Sequence, residues 1–348
     1  MEKRLLYPMF CCLAVIAVIS LAFSVYAGEP KLDLKQVSIS PSGTPQFARM
    51  DEWPAKKVEE VTNGRVKFTN YPSGTLISQR DTYSGIQRGV ADFGWIYSAY
   101  TPGVFSVDEL FALPGLFPNM ATANAVMNIL YEKFPHFEKQ FHPDVVRISS
   151  HIMLRPGIHS VVPVRTLADL KGLVVGCQDP TSAKALSKAG ASASVLPIHE
   201  MYTSAERGVI KAGVVAWGAL GQRRLDEVFK YHTLVYLSPS TSHYLFNKNT
   251  WNKFTKEERE KISLLGPWFQ RCIMEGAAMP GEAVRKKITA QKGHEFISWS
   301  DQDMKSLRGI LRPMWDEWAK KMEGKGIPGK EILKEAERLL EMYGNDMG

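Results

Sequence analysis

The sequence predicts an α/β fold made of two similar lobes with mainly parallel sheets. Two observations predict it. Short apolar, strand-like runs alternate with amphipathic helical runs along most of the chain, and such alternation is typical of parallel strands joined by helical crossovers. A helix–glycine–strand pattern also occurs twice, about 120 residues apart. The composition agrees with a globular protein, because 45% of the 348 residues are apolar and 23% are charged.

The two copies of the pattern span 83–94 and 202–213. In both, a tyrosine, a hydroxyl residue, Arg-Gly-Val and a final glycine stand at identical offsets. We predict that the helices end at Arg88 and Arg207, because the next glycine adopts the left-handed cap conformation at low cost. A repeated unit of this kind indicates two related lobes.

The other elements follow from periodicity and from glycine or proline punctuation. Strands are predicted, in chain order, at 36–40, 65–69, 93–96, 145–152, 173–175, 195–197 and 213–216. Helices are predicted at 53–62, 181–189, 200–207, 256–265, 268–279 and 331–343. Asn63-Gly64 ends the first helix and Gly190 the second. From Thr255 onward the chain is predicted to be helical, with a break at 324–329.

Residues 1–27 have the pattern of a cleaved export signal. Lys3 and Arg4 precede an apolar stretch, and Val25-Tyr26-Ala27 places small residues at the −3 and −1 positions. An uncleaved anchor is the alternative, because the stretch approaches the roughly 20 residues that span a bilayer. Cleavage would place the chain in the periplasm and would change its net charge from +7 to +6.

Neither the charge nor the cysteines point to nucleic acid, metal or cofactor. The positive excess is small and contains no run of five like charges, so no nucleic-acid partner is predicted. Cys177 and Cys272 would remain after cleavage in an oxidising compartment. They could pair, although buried thiols are the expectation for two cysteines so far apart. No CxxC pattern occurs, so no metal site is predicted and no cofactor is expected.

The sequence contains partial matches to two enzyme motifs, and neither match is complete. The segment 324–330 nearly fits a phosphate-binding loop, but Glu331 stands where Ser or Thr should bind the metal. His199-Glu200 and His294-Glu295 both lack the second histidine of a zinc protease site. No Gly-x-Ser-x-Gly nucleophile elbow is present. We therefore do not predict an enzyme.

Seven short motifs occur in an order that resembles a known family. They are Asn70-Tyr71-Pro72-Ser73-Gly74-Thr75-Leu76, the turn Gly89–Gly94, Phe111-Ala112-Leu113-Pro114, Asp169-Leu170-Lys171-Gly172-Leu173, Glu200-Met201-Tyr202, Arg207-Gly208-Val209 and Lys230-Tyr231-His232-Thr233. Over about 34 to 275 the chain resembles the periplasmic solute-binding receptors of tripartite ATP-independent (TRAP) transporters, of the C4-dicarboxylate-receptor type.

The resemblance implies a two-lobed, type II periplasmic-binding-protein-like fold with a long helix that spans both lobes. Lobe I would comprise 28–153 and about 243–281. Lobe II would comprise 154–242 and about 282–348 with the C-terminal helices. The implied function is that of a monomeric receptor that binds a small organic acid between closing lobes and delivers it to the permease subunits. The ligand is expected outside the carboxyl ends of the strands.

The chain departs from the family pattern where ligands are expected. An arginine of the family is replaced by Gly176, which we expect to open space in the pocket. Tyr97 and Tyr100 stand where acid-sugar-binding members carry charges, and Trp95 and Trp217 flank the same region. These residues favour a monocarboxylate with an aromatic or apolar body, because a dicarboxylate would leave one buried charge unpaired. The alternative is that both tryptophans are strand-end core residues.

Arg155 is the candidate partner for the ligand carboxylate. It stands 14 residues before Asp169, near the place of a second ligand-contacting arginine of the family. A salt bridge is the alternative role. His159 follows on the same segment. Further polar contacts are predicted from Ser40, Ser42, Thr44, Gln178, Ser242, His243 and Tyr244, with helix capping by Thr44 and turn formation by Ser242 as alternatives.

Two other functions stay open from the sequence. A sensory module that docks on a receptor kinase needs the same closing clamp. A lyase or isomerase on this fold would need an acid/base pair, for which His159, His199 and His243 are the candidates.

Overall fold

Two twisted sheets form the framework of the computed structural model, which describes residues 31–153, 156–237 and 239–343. In these residues the strands are β1 (Leu32–Val37), β2 (Val66–Tyr71), β3 (Phe93–Tyr97), β4 (Val145–Met153), β5 (Pro156–Ser160), β6 (Val174–Cys177), β7 (Ser192–Val195), β8 (Ala212–Val214), β9 (Tyr231–Tyr236), β10 (Ser240–Asn247) and β11 (Glu295–Ile297). One sheet has the order β2-β1-β3-β10-β4 and the other β11-β9-β5-β8-β6-β7. The predicted export signal lies outside the described residues.

The helices cover the sheets and fill the C-terminal third. They are α1 (Pro45–Phe47), α2 (Trp53–Val61), α3 (Thr82–Gln87), α4 (Met120–Lys133), α5 (His136–Lys139), α6 (Pro180–Lys188), α7 (Met201–Glu206), α8 (Trp217–Gln222), α9 (Lys248–Asn252), α10 (Lys256–Leu264), α11 (Gly266–Thr289), α12 (Asp301–Glu323) and α13 (Gly329–Tyr343). A π-helical segment, Ala48–Glu52, joins α1 to α2. No helix of the described ranges is long and apolar enough to cross a membrane.

We call the part built on the first sheet lobe I and the part built on the second lobe II. In lobe I, β1, β3 and β4 run in one direction and β10 runs against them. In lobe II, only β5 runs against the rest. The chain passes between the lobes after β4 and again after β9. In both lobes the carboxyl ends of the parallel strands therefore lie at the edge that faces the other lobe. We call the space between these two edges the cleft.

The long helix α11 contacts both lobes, which confirms the expected lobe-spanning helix. It packs on β4 and on the π-helical segment in lobe I, and on α8 in lobe II. Glycines allow the close approach at each end. A Cβ added at Gly276 would lie 2.3 Å from Cγ of Met50, and one added at Gly281 would lie 2.9 Å from Cβ of Trp217.

The repeated helix–glycine–strand unit is confirmed. Helices α3 and α7 are capped by Arg88 and Arg207. The glycines that follow have left-handed backbones, with φ of 75° at Gly89 and 72° at Gly208. Strands β3 and β8 come next, in lobe I and lobe II respectively.

The C-terminal helices contact both lobes, although the sequence assigned them to lobe II. The indole Nε1 of Trp315 donates to the carbonyl of Pro114 at 3.0 Å, and that of Trp318 donates to Ser106 at 3.1 Å. Both acceptors belong to lobe I. The same helix, α12, packs on the 3₁₀ turn Leu167–Leu170 of lobe II. A buried indole needs an acceptor, and lobe I supplies it.

Side-chain amides complete the outer edge of β4. Asn124 Oδ1 accepts from the backbone N–H of Ile152 at 2.8 Å, and Asn124 Nδ2 donates to the carbonyl of the same residue at 3.2 Å. Gln270 Nε2 donates to the carbonyl of Ser150 at 2.7 Å. These bonds replace those that a further strand would make.

Candidate functional site

An aromatic pair stands at the cleft edge of lobe I. Tyr97 ends β3 and is 7% exposed, and half-buried Tyr100 follows in a 3₁₀ turn. Their ring centroids are 5.6 Å apart with an interplanar angle of 48°. The turn is fixed to β10, because Ser98 Oγ donates to the carbonyl of Thr241 at 2.8 Å. Tyr97 is thus buried at the carboxyl end of β3, and the half-buried Tyr100 packed on it presents a positioned aromatic surface there.

The cleft edge of lobe II carries Gly176 and Gln178 at and after the end of β6. Gln178 is half-buried. Gly176 is buried, and a Cβ added there would lie 3.0 Å from Leu196 Cδ2 and 3.4 Å from Ile210 Cδ1. The expectation that Gly176 opens space in the pocket is therefore wrong in this conformation, because neighbouring apolar side chains already fill that space.

Trp95 belongs to the core of lobe I rather than to the cleft surface. It is 3% exposed, and its Nε1 donates to Oδ1 of buried Asp51 at 3.0 Å. Gln36 Nε2 donates to the backbone carbonyl of Asp51 at 2.9 Å. Burial raises the pKa of Asp51 to about 7, and nearby hydroxyls and the indole N–H oppose this shift only in part.

Asp51 was missed in the sequence, although a signal for it exists. Positions 47, 50, 51, 54, 55 and 58 form the buried stripe of the segment from α1 to α2. Asp51 is the one carboxylate on that apolar stripe. A charged residue at such a position predicts a buried hydrogen-bonding role.

Trp217 is likewise buried, at the start of α8 beneath the cleft edge of lobe II. It is 5% exposed, and its ring stands edge-on to His159 with centroids 4.6 Å apart. Arg285 lies over its other side, with the guanidinium carbon 5.6 Å from the ring centroid. Both tryptophans thus follow the alternative interpretation, that of core residues near strand ends.

Three histidines form a hydrogen-bonded chain behind Trp217, which we call the histidine relay. His159 Nε2 lies 3.2 Å from the carbonyl oxygen of Val215, and His159 Nδ1 lies 2.9 Å from His232 Nδ1. His232 Nε2 lies 3.0 Å from His294 Nδ1. His294 Nε2 lies 3.4 Å from Lys230 Nζ, at the surface end of the relay.

The two ends of the relay assign every tautomer. A carbonyl oxygen only accepts, so His159 carries its proton on Nε2, and its Nδ1 accepts from His232 Nδ1–H. His232 Nε2 then accepts from His294 Nδ1–H. Lys230 only donates, so His294 Nε2 accepts from it. All three imidazoles are neutral in this arrangement, and each makes one donor and one acceptor bond.

Burial keeps the relay neutral. Loss of solvation first, and the neighbouring histidine second, lower the pKa of His159 to about 3 and that of His232 to about 4. The pKa of His294 is also lowered, first by burial and then by the charge of Lys230. His159 is therefore a buried structural group in this conformation, with both ring nitrogens engaged.

His243 lies inside lobe I, away from any exposed surface. Its ring has no exposed area and packs against Phe105 and Phe141. Nδ1 lies 2.7 Å from Ser150 Oγ, and Nε2 lies 3.2 Å from Asp108 Oδ2. The order Ser–His–Asp resembles a hydrolase triad, but all three residues are buried, so a substrate has no access to the hydroxyl here.

The other candidates divide between surface and capping roles. Thr44 caps α1, because its Oγ1 accepts from the N–H of Phe47 at 3.1 Å. This confirms its alternative role. Ser42 is exposed at the cleft side, and the side chain of His199 is 71% exposed with Glu200 3.6 Å away. Arg155 lies outside the described residues, so its role stays a prediction, as do ligand contacts of Tyr97, Tyr100, Gln178 and Ser42.

Cys177 and Cys272 are free and buried, in agreement with the expected thiols. Cys177 ends β6 in lobe II, whereas Cys272 lies on the lobe I part of α11. Burial raises the pKa of Cys177 to about 12 and that of Cys272 to about 11. Neither thiol is therefore ionised at neutral pH.

The sequence profile of the bacterial extracellular solute-binding proteins, family 7, matches residues 37–321. The chain belongs to this family. Its members are periplasmic receptors for transport, so a family 7 chain is generally not an enzyme.

Among curated relatives, a periplasmic protein of a Nostoc species, named as binding monocarboxylate 2-oxoacids, is 24% identical over 313 residues. The alignment covers 86% of this chain and 82% of that protein. A TRAP periplasmic solute-binding protein of Desulfovibrio salexigens, solved as an open complex, has 25% identity and a TM-score of 0.81. It covers 91% of this chain and 98% of its own. The second comparison establishes the two-lobed fold of a TRAP receptor.

Solved structures of similar fold carry different acids. A marine metagenome TRAP receptor specific for aromatic acids, solved with 3-hydroxybenzoate, has 22% identity and a TM-score of 0.73, and covers 90% of this chain and 99% of its own. A Rhodoferax ferrireducens receptor holds copurified benzoate, at 20% identity, a TM-score of 0.74 and coverage of 91% and 100%. A Chromohalobacter salexigens receptor holds d-glucuronate, at 17% identity, a TM-score of 0.69 and coverage of 88% and 99%. At these identities the likeness concerns the fold.

Proposed function

We propose that this receptor binds a monocarboxylate with an aromatic or otherwise apolar body in the cleft and delivers it to the permease subunits of a TRAP transporter. The observation that carries the proposal is the Tyr97–Tyr100 pair at the cleft edge of lobe I. Aromatic rings favour offset-stacked or edge-on contact with another ring, and they offer no charge to a second carboxylate.

Arg155 is the proposed partner of the carboxylate. A guanidinium binds a carboxylate with two parallel charged hydrogen bonds, which fixes orientation as well as adding affinity. In sequence, Arg155 comes two residues after β4 and directly before β5. At the opposite edge, position 176 holds a buried glycine. A ligand with two carboxylates would therefore lack its second cation at that edge.

A thermal-shift screen tests the ligand class. The panel contains benzoate, phenylacetate and mandelate, with succinate, malate and d-glucuronate as the competing classes. A ligand at 100 times its Kd adds about 2.7 kcal/mol to stability. For a chain of this size that is a rise in Tm of roughly 5 °C or more. We expect the aromatic acids alone to raise the Tm. A rise in Tm confined to the dicarboxylates or d-glucuronate would refute the proposal that the ligand has an aromatic body.

The Tyr100 position offers a matched pair of variants for the same panel. Tyr100→Phe keeps the ring and should bind aromatic acids nearly as tightly as the wild type. Tyr100→Ala removes the ring and should weaken binding by about five- to tenfold, the loss expected from about 1 kcal/mol of aromatic contact. Equal affinities for both variants would remove the tyrosine pair from the site.

Delivery to a permease is tested by uptake. A strain that lacks this chain should lose uptake of the acid identified in the screen and regain it on complementation. Unchanged uptake together with a lost response to the acid would favour the sensory alternative.

A further inference from the structure

A row of three side chains crosses lobe I at the cleft edge, and we call it the polar row. Ser242 of β10 is directly opposite Tyr97 of β3 on one side and His151 of β4 on the other. Residues paired in this way across antiparallel strands share one face of the sheet, with Cβ atoms about 4.5–5.5 Å apart. The same face carries Trp95 one row deeper, opposite Tyr244.

Two members of the polar row are buried without hydrogen-bond partners. Within the described residues, neither Ser242 Oγ nor Nδ1 nor Nε2 of His151 makes a hydrogen bond. Both residues have no exposed area. Buried polar side-chain atoms are rarely left in this state, because each unmade bond costs about 1–3 kcal/mol. Three such atoms lie together at the cleft edge, and the described residues supply no partner for them.

The chemistry of the row defines that partner. Burial lowers the pKa of His151 well below its usual value, so the ring is neutral, with one donor and one acceptor. A serine hydroxyl also donates and accepts. The row has no cation, and the carboxyl of Asp51 lies on the same face, bonded to Trp95. A second carboxylate would find no cation in the row, whereas a ligand hydroxyl could both donate and accept.

We propose that the polar row selects ligands that carry a hydroxyl group on the aromatic or apolar body, at the end remote from the carboxylate. The assignment rests on the proposed function and narrows its ligand class to hydroxy-substituted aromatic monocarboxylates. Tyr97, at one end of the row, and neighbouring Tyr100 would contact the ring of the ligand. Ser242 and His151 would then hydrogen-bond the hydroxyl behind it.

Calorimetric titration of the purified protein with matched acids tests the assignment. The pairs are benzoate and phenylacetate, each with its meta- and para-hydroxy derivatives. In the wild type, the best hydroxy isomer should bind at least about tenfold more tightly than its parent, as one good hydrogen bond implies. In Ser242→Ala and His151→Phe the preference should fall to about twofold or less, while the parent acid keeps its affinity.

Ser149→Ala is the matched control. Ser149 lies on the same strand and face as His151, opposite Tyr244, and its hydroxyl is also buried without a partner. It is one row deeper, away from the cleft, so its loss should leave the hydroxyl preference at the wild-type value.

The outcomes separate the two proposals. Tight binding of parent acids with no hydroxyl preference, or with a preference that both variants retain, would overturn the polar row and leave the proposed function standing. Absence of binding for every aromatic acid would refute the proposed function and the row together. If His151→Phe unfolds the protein, Ser242→Ala decides alone, because it removes one oxygen from a side chain that makes no bond.

Discussion

Replacement of His232 by glutamine should make the protein less sensitive to acid, by about 2 kcal/mol between pH 7 and pH 5. An amide has one donor and one acceptor, as the neutral imidazole has. In His232→Gln it can donate to His159 and accept from His294, so the relay keeps its direction. The change removes a titrating group while it keeps both hydrogen bonds.

The magnitude follows from the two pKa values of His232. The pKa is about 4 in the folded chain and 6.5 when solvated. Below pH 6.5 the unfolded chain therefore binds a proton that the folded chain does not, and the free energy of unfolding falls with pH until the folded pKa is reached. At pH 5, which is 1.5 pH units below 6.5, the loss is about 2 kcal/mol. His159 adds a similar loss in both proteins and cancels in the comparison.

Urea unfolding, followed by tryptophan fluorescence at pH 7 and pH 5, measures the effect. The wild type should lose more stability than His232→Gln on acidification. His199→Gln is the control, because the side chain of His199 is 71% exposed, and it should behave as the wild type does. An equal loss in the wild type and in His232→Gln would refute the neutral relay. Nitrogen chemical shifts should also show the proton of His232 on Nδ1.

Three further predictions concern the cleft and the backbone. Arg155→Ala should weaken binding of the preferred acid by ~1.5–3 kcal/mol, with partial recovery in Arg155→Lys, and an unchanged Kd in calorimetry would exclude the salt bridge to ligand. The stability of Asp51→Asn relative to the wild type should increase by about 4 kcal/mol between pH 4 and pH 8. The reason is that Asp51 keeps its proton up to about pH 7 in the folded wild type, whereas it loses the proton near pH 3.8 in the unfolded chain. Parallel curves of unfolding free energy against pH for the two proteins would contradict this. Gly208→Ala should lower the free energy of unfolding by about 1–2 kcal/mol, because Gly208 has a left-handed backbone. Gly309→Ala should raise it by up to about 1 kcal/mol, because Gly309 lies in open space on α12. Denaturant midpoints that shift in the same direction in both variants would contradict this backbone explanation.

Local rules predicted the capped elements well. Helix α2 starts at Trp53 as predicted, and the left-handed residues Asn63 and Gly64 follow its end. The two helix ends at Arg88 and Arg207 were predicted at the correct residue. Caps depend on a few consecutive residues, so sequence alone contains the necessary information.

Several buried strands were not predicted from the sequence. All eight residues of β10 are buried, yet the segment reads STSHYLFN and has neither alternation nor an apolar run. The hydroxyl of Thr241 and the imidazole of His243 are accommodated by partners distant in sequence, Ser98 and Ser150. β5, β9 and β11 were missed as well, and β7 ends at Val195, where the sequence placed its start. Propensity cannot anticipate polar partners that only the folded sheet brings together.

The site was predicted by region more than by residue. Tyr97 and Tyr100 lie at the cleft edge, but Trp95 is one row deeper and Trp217 lies beneath the edge. Whether an aromatic residue near a strand end faces the cleft depends on how far the strand extends beyond it, and the uncertainty of one or two residues in strand ends is enough to change the answer. The relay could not be predicted either, because His159 on β5, His232 on β9 and His294 directly before β11 become neighbours only through the strand order β11-β9-β5.

The hydrogen bonds that the side-chain amides of Asn124 and Gln270 make along β4 affect how readily the ligand-free protein aggregates. An uncovered edge strand is a template for aggregation, because any extended chain can pair with its free backbone groups. In lobe I, the backbone of Ile152 and the carbonyl of Ser150 are already bonded. A second molecule must therefore displace amides held on α4 and α11 before it can add a strand there. Substitution of Asn124 would endanger colloidal stability during concentration and storage sooner than it would alter affinity for any acid.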